Sequence, residues 1–274
     1  MTALGCGGSS EETPVVLAAG DIADCESTGD EQTAALLDEE AGAVLTLGDH
    51  AYDKGTPREF RECYDTSWGR HRGRTRPIPG NHDYYVVRAP GYEEYFGDRA
   101  SPSGDELYYS FDLGTWHVVA LDSERDTRAA GQQAAWLRRD LAENPADCVL
   151  AFWHRPRWTR GRHDDHDEVA DFWRILYDAR ADLVLAGHDH NYQRYPRLDP
   201  EGRVDPARGL RSFVVGTGGR ERHQLRPDSR RHASNDSAWG VLRLELRPER
   251  YEWKFLPVSG AGYSDSGSSS CNRP

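Results

Sequence analysis

Five short apolar segments, each followed directly by glycine or histidine, constrain the fold of this chain most. They cover residues 15–19, 43–47, 149–153, 183–186 and 213–215. Runs of about five aliphatic or β-branched residues are typical of buried strands. Segments of helical character lie between them, at residues 31–40, 129–143 and 167–179. Strands that alternate with helices predict an α/β fold built on a central sheet.

Two further segments have the pattern of antiparallel hairpins. Residues 107–121 turn around Gly114 and Thr115, and residues 239–258 turn around residues 247–249. Antiparallel hairpins added to parallel strands predict either one mixed sheet or two stacked sheets.

The length of 274 residues lies at the upper edge of what one hydrophobic core supports, and no internal repeat divides the chain. We therefore expect one catalytic domain at residues 13–260. Residues 1–12 read as a flexible tether. Residues 261–274, rich in Gly and Ser, read as a surface tail that is held down only if Cys271 is bridged.

The charge balance limits the classes of partner. Lys and Arg number 34 against 46 Asp and Glu, giving a net charge of -12. This charge repels nucleic-acid phosphates, so we expect no nucleic acid bound through its groove. It also repels a small phosphate ester, which therefore needs a local positive charge such as bound metal ions. No apolar run approaches the ~20 residues of a transmembrane helix.

The five cysteines, at positions 6, 25, 63, 148 and 271, form no CxxC pair and accompany a single methionine. This usage favours an extracytoplasmic location, secreted or surface-anchored. The polar start around Cys6 resembles the mature end of a lipid-anchored bacterial lipoprotein, and the alternative is a plain flexible end. The other four cysteines allow three pairings. We predict Cys25–Cys63 and Cys148–Cys271, with buried free thiols as the alternative.

Polar residues follow the predicted strands in a repeated way. Gly-Asp follows the first two, Gly-Asn-His-Asp occupies residues 80–83, a histidine follows the segment ending at residue 153, and Gly-His-Asp-His occupies residues 187–190. Each motif alone is typical of a turn. Because the carboxyl ends of strands in open α/β folds form the ligand site, together they predict one metal site at one sheet edge.

Asp49 is our candidate for a carboxylate that bridges two metal ions. Two ions about 3.5 to 4 Å apart clamp the attacking and leaving oxygens of a displacement at phosphorus, and one carboxylate can give an oxygen to each. Neutral ligands around it keep the ions Lewis acidic. Asn81, His154, His188 and His190 fit that role.

The order GD, GDxxY, GNHD, a lone His and GHxH resembles the calcineurin-like metallophosphoesterase superfamily, and within it the purple acid phosphatase-like branch. Many relatives have DxH at the first motif, whereas Ala23 stands at that third position here. Tyr52 stands where the purple acid phosphatases have a metal-binding tyrosine. The Asp-Arg-Gly of the Ser/Thr protein phosphatases does not follow the GD motif.

The resemblance implies an α/β/β/α four-layer sandwich with two mixed sheets, and two metal ions, Fe(III) with divalent Fe, Zn or Mn. One ion would be held by Asp21, Asp49, Tyr52 and His190, and the other by Asp49, Asn81, His154 and His188. It further implies a phosphatase that hydrolyses phosphomonoesters through a hydroxide bridging the metals. His82 would be the general acid.

Three other histidines are candidates for substrate contact: His50, His163 and His166. His50 either faces the substrate or only packs, and the tract at residues 163–167 either forms the rim of the site or is a solvated charged loop. Alternative functions are a phosphodiesterase on the same site and a non-catalytic metal- or phosphate-binding surface protein.

Overall fold

The computed structural model describes residues 13–272 except 103 and 105, and two β-sheets form its centre. The strands are β1 (Val15–Ala19), β2 (Ala43–Leu47), β3 (Thr75–Ile78), β4 (Tyr109–Leu113), β5 (Trp116–Ala120), β6 (Cys148–Phe152), β7 (Leu183–Ala186), β8 (Tyr192–Leu198), β9 (Leu210–Val215), β10 (Ala233–Asn235), β11 (Gly240–Arg247), β12 (Arg250–Pro257) and β13 (Ser266–Ser270). The α-helices are α1 (Gly29–Asp38), α2 (Pro57–Glu59), α3 (Pro90–Phe96), α4 (Gln132–Glu143) and α5 (Ala170–Asp178). Shorter helical turns are Phe60–Tyr64, Trp68–Arg74, Asp83–Tyr85, Gly97–Arg99 and Asp167–Val169.

Both sheets are mixed, which confirms the predicted fold class. Over the described ranges, one sheet has six strands in the order β13-β12-β11-β1-β2-β3, and the other has seven in the order β10-β8-β9-β7-β6-β5-β4. β1, β2 and β3 run parallel, as do β5, β6, β7 and β9. Of these strands, β1, β2, β6, β7 and β9 carry the five apolar runs, and each has a neighbouring strand on both sides. Their side chains are almost all buried, as expected for strands covered on both faces.

Aromatic side chains join the two sheets into one core. Trp116 of β5 meets Tyr251 of β12 edge-on, with ring centroids 5.8 Å apart. Phe213 of β9 meets Trp253 of β12 at the same centroid distance. Such pairs bury large apolar areas in preferred edge-to-face geometry, so they hold the sheets together.

Both predicted disulfides are present. Cys25–Cys63 has a Cα–Cα distance of 5.0 Å, and Cys148–Cys271 has one of 5.5 Å. The segment predicted as a surface tail therefore contains a strand, because Cys271 is bridged and β13 pairs with β12 along residues 266–270. Serine side chains do not drive this pairing, and the neighbouring strand supplies the hydrogen bonds.

The predicted tether and the anchor at Cys6 lie outside the described residues. The predicted domain boundaries stay predictions. Along the part of the chain that the structure describes, no helix is both long enough and apolar enough to cross a bilayer.

Candidate metal centre

The seven predicted ligands lie together, each placed by the end of a strand. Asp21 follows β1, Asp49 and Tyr52 follow β2, Asn81 follows β3, His154 follows β6, and His188 and His190 follow β7. The carboxyl ends of strands from both sheets therefore meet at one edge of the sandwich, as the sequence pattern predicts.

Three of these residues have left-handed backbone conformations, which non-glycine residues rarely adopt. The φ angles are 60° at Asp21, 52° at Asp49 and 71° at His188. Each such residue costs free energy, and such residues cluster at functional sites. The unusual φ angles occur where the chain leaves a strand and turns a ligand side chain towards the centre.

Two motif glycines allow the loops to approach closely. A Cβ atom on Gly80 would lie 2.3 Å from Oδ1 of Asp49. A Cβ atom on Gly48 would lie 2.6 Å from Nδ1 of His154, and Gly48 also has a positive φ of 83°. Glycine is required at both positions because any side chain would displace a ligand.

The first half of the centre gathers around the hydroxyl of Tyr52. Its oxygen lies 3.0 Å from Oδ1 of Asp21, 3.1 Å from Oδ2 of Asp49 and 3.2 Å from Nε2 of His190. All four groups are buried. A phenol has one proton to donate, so it cannot satisfy three acceptors at once.

The second half gathers around Nε2 of His154. This nitrogen lies 3.1 Å from the side-chain oxygen of Asn81, 3.3 Å from Oδ2 of Asp49 and 3.1 Å from Nδ1 of His188. Oδ2 of Asp49 therefore lies between the two halves and contacts Tyr52 on one side and His154 on the other.

Backbone carbonyls orient two of the imidazoles. Nδ1 of His154 lies 2.7 Å from the carbonyl oxygen of Leu47, and Nδ1 of His190 lies 2.7 Å from that of Glu221. A carbonyl can only accept, so each Nδ1 carries a proton and donates it. Both Nε2 atoms therefore face the centre, the arrangement that outer-shell carbonyls impose on metal-binding histidines.

The buried carboxylates of the cluster favour positive charge beside them. Burial alone would raise the pKa of Asp49, but the neighbouring His154 lowers it below its usual value. Burial opposes protonation of His154, yet Asp49 raises the pKa of this imidazole to about 10. Burial and the flanking Asp21 and Asp49 raise the pKa of Tyr52 well above 10. Tyr52 therefore becomes an anionic ligand only beside a bound cation.

His82 lies beside the two donor sets but outside them. Its Nδ1 is 2.6 Å from the carbonyl oxygen of Asp53, and its backbone N–H donates to Oδ1 of Asp49 at 2.7 Å. Its Nε2 stays 4.0 Å from Oδ2 of Asp49, and 24% of the side chain is exposed. The ring is thus fixed, with one nitrogen free at the opening of the site.

His163 and His166 lie at the rim of the same centre. The ring of His163 stacks on that of His188 with centroids 4.1 Å apart, and the ring of His166 lies 5.0 Å from His188. Both come from the loop before α5. The structure brings them to the site, and substrate contact stays a prediction.

His50 does not face the substrate, so this prediction is wrong. Its side chain is fully buried, with Nδ1 2.9 Å from Asp83 and Nε2 2.7 Å from the Thr46 hydroxyl. Asp83 also accepts the backbone N–H groups of Asp49 and Gly80 at 3.0 and 2.9 Å. His50 and Asp83 therefore pin the two ligand-bearing loops together from beneath.

Two further residues at the centre, His223 and Asp189, were not predicted from the sequence. The ring of His223 stacks on His190 with centroids 3.8 Å apart, and Nδ1 of His223 lies 3.6 Å from the buried carboxylate of Asp189. The same carboxylate accepts the backbone N–H of His163 at 3.1 Å. The sequence feature that could have indicated His223 is its position after a strand that ends at this edge of the sandwich. No sequence motif surrounds His223.

Comparisons with known proteins agree with this fold. The family model described as calcineurin-like phosphoesterase matches residues 7–192. The chain belongs to this family. It is similar to purple acid phosphatase 23 of Arabidopsis thaliana, with 31% identity over 228 residues, covering 67% of this chain and 48% of the relative. The chain spans about half the length of the curated relatives it matches.

Two solved structures share the fold. A purple acid phosphatase from yellow lupin (Lupinus luteus) seeds superposes with a TM-score of 0.73 and 16% identity, covering 94% of this chain and 54% of that one. A dimetal phosphatase from Danio rerio superposes with a TM-score of 0.61 and 16% identity, covering 93% of this chain and 99% of that one.

Proposed function

We propose that this chain is a dinuclear-metal phosphatase that hydrolyses phosphomonoesters. One observation carries the proposal: the buried hydroxyl of Tyr52 and the buried Nε2 of His154 each face three polar atoms, and both groups contact the same oxygen of Asp49. Two cations, one in each half, would turn these contacts into ligand bonds.

The donor sets fit two different ions. The half around Tyr52 offers a phenol, two carboxylates and one imidazole, hard and anionic ligands that suit Fe(III). The half around His154 offers two imidazoles, one amide oxygen and the shared carboxylate, which suit a divalent Fe, Zn or Mn ion. When bound, the two ions supply the Lewis acidity that activates water towards phosphorus.

The protein's own residues supply the rest of the reaction. The carbonyl of Asp53 holds Nδ1 of His82, so Nε2 is the nitrogen that would protonate the departing alkoxide. His163 and His166, stacked on and beside His188, would contact the phosphoryl oxygens from the rim. The similarity to purple acid phosphatases supports these roles.

The two disulfides support an extracytoplasmic location, because such bonds persist in oxidising compartments. We propose that the chain is secreted or anchored at a cell surface. Fractionation of the source cells tests this location, and recovery in the cytoplasm with free thiols contradicts it.

Asp49→Asn tests the metal centre. The change removes the charge that the two halves share, so both ions should be lost and hydrolysis should fall with them. The matched control is Asp147→Asn, an exposed aspartate just before β6, at the opposite end of the strand from His154. Metal analysis is combined with a panel of phosphomonoesters and phosphodiesters. Retention of both ions in Asp49→Asn would contradict the assignment.

The same panel of phosphate esters distinguishes the proposed function from its two alternatives. Faster turnover of diesters than of monoesters would replace the proposed activity with phosphodiesterase activity on the same centre. Two bound ions without turnover of any ester would identify a non-catalytic binding protein.

A further inference from the structure

Arg220 covers the phenol ring in the first half of the centre. The guanidinium carbon of Arg220 lies 4.6 Å from the centroid of the Tyr52 ring. A cation within about 6 Å of an aromatic centroid is attracted to the π-electrons of the ring. Arg220 belongs to the segment that follows β9.

The guanidinium is held in this position from two sides. One terminal nitrogen pairs with Asp24, and the other lies 2.9 Å from Oδ1 of Asp53. About four-fifths of the side chain is buried at Arg220 and also at Asp24, whereas 66% of the Asp53 side chain is exposed. Water therefore screens the carboxylate of Asp53 more than it screens the cation over the ring.

The backbone around Arg220 contacts the other residues of the same half. The N–H of Arg220 donates to the carbonyl of Asp21 at 2.9 Å. The carbonyl of the next residue, Glu221, accepts from Nδ1 of His190 at 2.7 Å. The indole N–H of Trp239 donates to the carbonyl of Arg220 at 2.8 Å. This short segment thus contacts Asp21, Tyr52 and His190 from outside the donor set.

We propose that Arg220 is a positioning residue that fixes the Tyr52 ring and weakens electron donation from its phenolate to the metal ion. The inference rests on the proposed function, since it assumes an ion in the half around Tyr52. A positive charge over the ring lowers the energy of the phenolate electrons. The guanidinium lies over the ring and not beside the phenol oxygen, so it acts on the phenolate more than on the metal ion. The energy gap between the phenolate donor orbital and the Fe(III) acceptor orbital therefore widens.

The test is the position of the phenolate-to-Fe(III) absorption band in the iron-loaded full chain. Arg220→Gln removes the charge and should move the band to longer wavelength, whereas Arg220→Lys keeps the charge and should leave the band near its original position. The matched control is Arg58→Gln, because Arg58 is an exposed arginine that pairs with Glu62 and lines the same cavity as Tyr52 and Arg220. This control should leave the band unchanged.

Band position does not depend on how many sites are filled, so partial iron loss from a variant does not obscure the result. An unshifted band in Arg220→Gln, or an equal shift in Arg220→Lys, overturns the inference. The Tyr52→Phe variant separates this failure from that of the proposed function. If the wild-type band persists in Tyr52→Phe, or the wild type binds iron without a band, Tyr52 is not the ligand and the proposed centre itself fails.

Discussion

At the scale of single residues, the structure separates groups that would bind ions from groups that would act on substrate. Nε2 of His154 and the hydroxyl of Tyr52 point into buried donor sets. His82 lies at the opening, with Nε2 4.0 Å from Asp49. The two kinds of residue should therefore respond differently to substitution.

His82→Ala should keep both ions yet lose about 10²- to 10⁴-fold in turnover of alkyl phosphates, the usual contribution of a positioned proton donor. Aryl phosphates should be affected much less, because a phenolate leaves without protonation. The measurement is the kcat/KM ratio of variant to parent across leaving groups of rising pKa. A ratio that is constant across the series would assign His82 to phosphate binding instead.

Asp122 should make stability depend on pH. Burial raises the pKa of this carboxyl to about 7, although its Oδ2 lies 2.5 Å from the hydroxyl of Tyr84. The unfolded chain releases the proton near pH 4, whereas the folded chain keeps it until about pH 7. The contribution of Asp122 to stability is therefore complete below about pH 4. It falls by up to about 1.4 kcal/mol per pH unit until about pH 7.

Asp122→Asn should remove this dependence. The stability of the variant relative to the parent should rise between pH 5 and pH 7 and level off above that range. Urea unfolding of both proteins, freed of metal with a chelator, provides the measurement. A difference that stays the same at every pH would show that Asp122 titrates normally in the folded chain.

At the scale of elements, short strands deliver the ligands, and the loops after them are fixed by contacts from other elements. Asp83 holds the loops after β2 and β3 together, and Asp189 holds the rim loop before α5. The edge strand β13 is held in another way. Its serines bury little apolar surface, so the strand depends on its pairing with β12 and on the disulfide at Cys271.

Removing the Cys148–Cys271 bridge with Cys148→Ala and Cys271→Ser should therefore release β13. We expect a loss of about 2 to 5 kcal/mol in the free energy of unfolding, since the bridge closes a long loop. Backbone amides of residues 266–270 should then exchange with solvent faster. The control variant, Cys25→Ser with Cys63→Ala, should leave exchange in β13 unchanged, and equal exchange in both variants would contradict a specific role for Cys271.

At the scale of the whole molecule, the net charge of -12 opposes the approach of the proposed substrate. Salt screens exposed charges over a Debye length of about 8 to 10 Å at physiological ionic strength. The local positive charge of bound ions then acts with less opposition from the surface.

We therefore expect kcat/KM for a doubly charged phosphomonoester to increase as ionic strength rises from about 0.01 to 0.15 M. A singly charged phosphodiester should show a smaller increase. Steady-state kinetics in a non-coordinating salt provide the measurement. A decrease for both substrates would mean that an attractive surface field guides the substrate to the site.

The sequence alone determined the strand ends and the residue types that follow them. The order of Asp21, Asp49, Asn81, His154, His188 and His190 predicted one shared edge. Short apolar runs bounded by turn residues favour buried strands, and the carboxyl ends of strands in α/β folds meet at one edge. Both disulfide pairs and the two hairpins were also predicted correctly. The hairpins are local in the chain, and the four cysteines allow only three pairings.

Only the tertiary structure decided which other side chains reach that edge and which do not. His50 is next to Asp49 in sequence, yet its side chain turns into the core to meet Asp83 and Thr46. Arg220 is 168 positions from Tyr52 and covers its ring. No local pattern contains such contacts, because they depend on which faces of the two sheets pack together and on where each loop is held.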